Sequence, residues 1–409
     1  MPAATPTAPP TPARAPVHLP ALDGYRGLAA LLVTVYHCWL FTDAPLDQGP
    51  LRGLVAAMGL GVELFFVLSG FVLLLPVARR DGDFGSLGAY ARRRFARIAP
   101  AYMVAVVVQA SLAPWLAGVP SPFLNLGGLA NFAAHLLFLQ HEIPRWLLRS
   151  LGLHAPVMGF GVNGALWSLS IEVLFYAALP LVAAAFCRRP GRGLLLGLLG
   201  AGAWRALAWH APTLAAATGS ARGVAVAGDV PRLVEQIPGF AGQFALGMAA
   251  AWLFANALSD NPNTVARSLR RYASGLVTLG WLALLTSLMA AGSIGGTDGG
   301  FYARQLDDLL PSAAFALLLL ATPLAQSRLA AFAGSRAARW TGDVSYGCFL
   351  WHLPLILLFT HVLGFFREPG NSAFLGLLAL VVPSALFFGH LSRHLIEEPA
   401  IRWGRSVET

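Results

Sequence analysis

Arg26 and His37 stand 11 residues apart in the run LDGYRGLAALLVTVYHCWLF. On a helix this is close to three turns, so both side chains leave one face, about 16–17 Å apart along the axis. An arginine at one end of such a face can hold phosphate, and a histidine deep in the apolar run can exchange a proton near neutral pH. The plainer reading has Arg26 reaching for lipid phosphates and His37 bonding a backbone carbonyl. For the pair alone the two readings stand level. Glu63 in GVELFFVLSGF, Glu172 in LWSLSIEVLFY and His352 in DVSYGCFLWHLPL shift the balance. An ionisable group inside a spanning helix is costly unless it faces the bundle interior. His37, Glu63, Glu172 and His352 lie in four separate apolar runs. A shared polar cavity explains them more simply than four accidents.

Arg94 and Arg97 in RRRFARIAP are three apart and share a helical face. Two guanidiniums on one face suit bidentate binding of a phosphorylated ligand, whereas Arg92 and Arg93 read as an anchor to the membrane surface. His390 and His394 have the i,i+4 spacing of a metal pair, but no carboxylate or third histidine has an obvious route to them, so no metal site is expected. Trp167, Trp351 and Tyr346 read as packing or interface residues, and Asp23 and Asp343 as N-caps.

The elements that must position these residues are set by composition. Of 409 residues, 56% are hydrophobic and 11% charged, and mean hydropathy is +0.64. A soluble domain carries about 25% charged residues, so the chain is an integral membrane protein of the all-α class. All 28 basic residues are arginine. The absence of lysine excludes Schiff-base chemistry and a Walker-type phosphate lysine. Cys38, Cys187 and Cys348 lie in apolar runs and read as small buried hydrophobes. The net charge of +9 is spread between apolar spans and marks topology, not nucleic acid.

A bilayer core takes about 17–25 apolar residues per helix. Ten spans are expected, near 24–41, 58–78, 99–117, 166–187, 193–209, 238–257, 272–292, 307–326, 344–366 and 374–395. The apolar piece 129–139 is too short to cross. On this count arginines cluster on the side of both termini, at 79–97, 188–192, 267–271, 328–339 and 393–405. The opposite loops hold only Arg52, Arg145, Arg149, Arg222, Arg232, Arg304 and Arg367. The positive-inside rule then makes both termini cytoplasmic. Residues 1–20, with seven prolines, read as a disordered tail; 21–403 form the membrane domain and 404–409 a cytoplasmic tail.

The segments LDGYRGLAALLVTVYH, GVELFFVLSGFVL, RRRFARIAPAY, ALWSLSIEVLFY, DVSYGCFLWH and IEEPAIRW, in this order from about residue 20 to 403, resemble the acyltransferase type 3 family of membrane O-acyltransferases. The resemblance implies a ten-helix domain of the bacterial cytoplasmic membrane. It would take acyl-CoA, acetyl-CoA foremost, as co-substrate and hold no permanent cofactor. Its acceptor would be a sugar hydroxyl of a cell-surface glycan, lipopolysaccharide, peptidoglycan or glycosylated small molecule. The family's Arg-x10-His motif falls on Arg26 and His37 and its Arg-x-x-Arg motif on Arg94 and Arg97. Its second-helix glutamate falls on Glu63, its Trp-Ser-Leu glutamate on Glu172, and its C-terminal Glu-Pro on Glu398 and Pro399. Cys348 departs from a tyrosine that many members carry. Few residues follow Pro399, so the esterase-like domain of some relatives is not expected.

Residues and resemblance converge on one expectation. Arg26, Arg94 and Arg97 bind the donor phosphates, and the pantetheine arm runs toward His37. His37 acts as general base or transient acyl carrier, with Glu63 or Glu172 orienting its ring and His352 the second histidine candidate. The alternative is a proton-coupled transporter or flippase for a glycan or lipid-linked precursor, with the same His and Glu residues as a proton relay.

Overall fold

The computed structural model describes residues 18–46, 50–142, 158–217, 233–294, 301–366 and 368–406. These form a polytopic helix bundle, with no strand among them. The main helices are α1 (Pro20–Thr42), α2 (Gly61–Ala78), α3 (Leu87–Leu116), α4 (Leu126–Leu136), α5 (Trp167–Arg188) and α6 (Pro190–Ala217). They continue with α7 (Ala241–Ala257), α8 (Thr264–Ile294), α9 (Phe301–Ala321), α10 (Arg336–Leu357), α11 (Asn371–Ser392) and α12 (Glu398–Ser406).

Seven described segments are long and apolar enough to cross a membrane: Leu51–Ala78, Leu87–Leu116, Gly164–Arg188, Ile237–Ala257, Thr264–Ala290, Arg336–Val362 and Asn371–Ser406. The other three expected spans fall on α1, α6 and α9. α4, covering most of the short apolar piece 129–139, has 11 residues. At 1.5 Å per residue it is about 16 Å long, half of a core of about 30 Å. Residues 1–17 of the expected tail, and Arg145, Arg149, Arg222, Arg232 and Arg367, lie outside the described residues. The expected tail 404–409 begins inside α12.

Two close helix crossings position the polar residues. α1 lies along α10, and α2 along α7. At Gly27 a side-chain carbon would strike Thr341 and the backbone of Gly342, and at Gly342 it would strike the backbone of Asp23. Small residues let helix backbones approach this closely without a gap. His37 and His352 each lie ten residues beyond this crossing, on two helices that run the same way. The glycine contact therefore carries the two imidazoles together. Gly70 and Gly247 make the equivalent crossing between α2 and α7.

Pro354 inside α10 cannot donate to the carbonyl of Leu350, which would otherwise be orphaned in the core. Gln109 of α3 donates to that carbonyl at 2.9 Å and Asn163 at 3.0 Å. α10 is thus held against its neighbours within one turn of His352.

Two expected caps are corrected. Asp23 lies inside the first turn of α1, after Pro20, and pairs with Arg26 at 3.0 Å. Asp343 lies within α10, whose cap is Ser335, accepting from the Ala338 amide at 3.3 Å. Hydropathy marks where a helix enters lipid, whereas the helices themselves begin up to two turns earlier, at Pro20 and Arg336.

Candidate active site

A cavity of about 90 Å³ opens between α1, α2, α3, α5 and α10. Arg26, Arg94 and Arg97 reach it from α1 and α3, and Glu172 reaches it from α5. The rest of the wall is largely apolar, with Phe65, Phe66, Leu73, Ile98 and Phe349 among its residues. Arg94 lies beside the rings of Tyr90 and Tyr176, 6.0 and 5.9 Å from their centroids, and its buried Nε has no hydrogen-bond partner. A buried guanidinium donor left open in this way suits an anion.

Glu172 does not reach His37. Its Oε1 accepts from Ser69 Oγ at 2.8 Å and from the Tyr176 hydroxyl. Glu63 is not hydrogen bonded to His37 either; its Oε2 is buried and unpartnered, and the charges acting on it are Asp308, Arg205 and Glu235. The expectation that a glutamate orients the imidazole is corrected: a carbonyl and a second histidine occupy that place. His37 Nδ1 lies 2.9 Å from the Val33 carbonyl and 3.2 Å from His352 Nε2. His352, fully buried, sets its own Nδ1 2.8 Å from the Phe349 carbonyl.

This network assigns the protons. A ring nitrogen beside a carbonyl must be the donor, so both Nδ1 atoms carry hydrogen in the neutral rings. His352 Nε2 is then an acceptor facing His37 Nδ1–H. The remaining lone pair of His37 is on Nε2, which has no hydrogen-bond partner among the described residues. The plain reading of His37 as a carbonyl-bonded histidine is therefore fulfilled at one nitrogen, and that bond is what keeps the other free to act as a base.

Neither histidine lines the cavity. Phe349 does, and its ring lies 5.6 Å from that of His352 and 6.1 Å from that of Phe65. Tyr346, read as packing, lines the cavity and donates to the Ile98 carbonyl at 2.8 Å. Cys348, at the departure from tyrosine, is buried with its Sγ 3.8 Å from Thr34 Oγ1.

Several residues escaped the sequence reading. Arg205 of α6 is 3% exposed and pairs with Asp308 of α9 at 2.5 Å, donating also to the Gly239 carbonyl at 2.8 Å. A lone arginine in one apolar run and an aspartate opening another were the available signal. In IEEP the buried carboxylate is Glu397, 1% exposed and 2.9 Å from Ser392 Oγ, on the π-helical turn Arg393–Glu397. Glu398 instead faces Arg393 at 3.2 Å and His394 at 3.5 Å. The rings of His390 and His394 are 4.3 Å apart, and no cluster of three metal-ligating side chains occurs among the described residues.

A family model described as Acyltransferase domain matches residues 19–390. The chain is 28% identical to the peptidoglycan O-acetyltransferase OatA of Listeria monocytogenes over 85% of its own length and 50% of the relative's. It is 32% identical to the acyltransferase MdmB of Streptomyces mycarofaciens over 40% of its length and 39% of the relative's. With the O-acetyl transferase of Shigella phage Sf6 the identity is 28%, over 38% of the chain and 43% of the relative. The chain thus spans at most about half the length of these curated relatives. No solved structure matches it. The match over residues 19–390, on a multi-pass helical bundle that carries the six motifs in order, shows that the chain belongs to the acyltransferase type 3 family.

Proposed function

We propose that this protein transfers an acetyl or similarly short acyl group from acyl-CoA to a sugar hydroxyl of a cell-envelope glycan or a glycosylated small molecule. The observation that carries this reading is the alignment of three guanidiniums, one cavity and a base. Arg26, Arg94 and Arg97 flank a cavity whose aromatic wall touches His352, and His352 is bonded to His37. The O-acetyltransferase and acyltransferase names of the relatives support the reaction class.

The donor phosphates bind at the arginines, on the side the arginine distribution makes cytoplasmic, and the thioester arm enters the cavity. His37 Nε2 takes the proton of the acceptor hydroxyl as its oxygen attacks the thioester carbonyl. The tetrahedral intermediate expels the CoA sulfur, which receives that proton from the imidazolium. During the step the Val33 carbonyl and His352 Nε2 hold Nδ1–H and stabilise the cation. A covalent route through acyl-His37 would use the same lone pair. Glu172, with Ser69 and Tyr176, belongs to the donor wall; Glu63 lies with Arg205, Asp308 and Glu235.

Purified protein in lipid nanodiscs, incubated with labelled acetyl-CoA and candidate glycans, should release free CoA thiol and form a labelled ester in equal amounts. A transporter or flippase built on the same residues would leave the thioester intact, and that result would overturn the proposal.

A further inference from the structure

We infer that Phe65 and Phe349 set the acyl-chain length this protein accepts. The inference rests on the donor reading above and concerns the far end of the same cavity. Both rings line the cavity, and their centroids are 6.1 Å apart. Phe349 is 5% exposed and lies against His352, which lies against His37. Phe349 is the wall residue next to the histidine pair, so an acyl group carried far enough for its thioester carbonyl to be attacked near His37 must lie beside the two rings. The cavity, at about 90 Å³, is smaller than the roughly 150 Å³ that admits benzene in an engineered protein cavity. Its polar groups, the arginines and the Ser69–Glu172–Tyr176 cluster, suit the phosphates and amides of the donor. The apolar end of the cavity, where the two rings stand, is left for the acyl group.

The position of these residues in the fold explains why the wall is stiff. Phe349 is in α10, three residues before His352, and its carbonyl holds His352 Nδ1. Phe65 is in α2, which the Gly70 and Gly247 crossing locks against α7. Neither ring can retreat without moving a packed helix or adopting a different rotamer. An added methylene in a hydrophobic pocket typically changes discrimination by about 10–200-fold.

The test is the ratio of kcat/KM for butyryl-CoA to that for acetyl-CoA, measured for the wild type and for Phe65→Ala and Phe349→Ala. We expect the wild type to favour acetyl-CoA by at least about tenfold, and either variant to raise the butyryl-to-acetyl ratio by about tenfold or more. Damage to the fold would lower both donors together and leave the ratio unchanged. Phe65→Leu and Phe349→Leu, which remove less volume, cover the case in which an alanine variant does not fold and should shift the ratio in the same direction. An unchanged ratio in the folded variants, or a wild type that uses hexanoyl-CoA as readily as acetyl-CoA, would overturn the inference while leaving the donor assignment intact. If no acyl-CoA of any length is consumed, the failure lies in the donor assignment itself.

Discussion

His37→Ala should lower acyl transfer by about 10²–10⁴-fold, the usual contribution of a positioned general base, while the protein still inserts and folds. The half-buried ring is a small part of α1, and its one contact with α10, to His352, adds little to a crossing that the Gly27–Gly342 approach already holds. The measurement is the rate of labelled ester formation by purified variant, with thermal unfolding and size-exclusion behaviour compared to wild type. His352→Ala should cost less, because it removes a partner of Nδ1 and leaves the Nε2 lone pair in place. If folded His37→Ala retains more than about a tenth of the wild-type rate, the base is another group, and His352 is the next candidate.

The largest binding effect is expected at the arginines. Arg94→Ala and Arg97→Ala should each raise the apparent KM for acyl-CoA, since a charge-assisted hydrogen bond contributes about 1.5–3 kcal/mol. Arg94 gives the cleaner reading, because its Nε is buried and open while its guanidinium lies beside Tyr90 and Tyr176. Arg26 is already engaged by Asp23 and should respond less to a single change. The control is a donor truncated before its phosphates, whose KM should be nearly indifferent to both substitutions. Equal weakening of both donors would make the arginines helix anchors and not phosphate ligands.

The sequence shows the individual polar residues and hides their partners. A shared cavity is expected for His37, Glu63, Glu172 and His352 because charge inside an apolar run is expensive. Of these only Glu172 lines the cavity, together with Arg26, Arg94 and Arg97, which the sequence marks separately as phosphate ligands. The orientation of His37 was not legible, because its partner His352 lies 315 residues away and no local periodicity reports that distance. The two are joined by the Gly27–Gly342 approach of α1 and α10, which depends on the whole bundle. Arg205 and Asp308, 103 residues apart, were missed for the same reason. Glu397 was passed over for Glu398 because adjacent helical residues point about 100° apart, and sequence alone does not say which one faces inward. Helix ends were misjudged where a polar turn extends beyond the apolar span, as at Asp343.

On this mechanism the arginine cavity and the histidine pair serve one donor molecule. A structure of the protein in nanodiscs with a non-hydrolysable thioether analogue of acetyl-CoA tests it most directly. The nucleotide phosphates should lie beside Arg26, Arg94 and Arg97. The analogue's arm should lie along the wall that carries Ser69 and Glu172, and its acyl end against Phe65 and Phe349, on the side of His37. An analogue bound with its phosphates away from all three arginines, or at the opposite face of the bundle with the cavity unfilled, would contradict it.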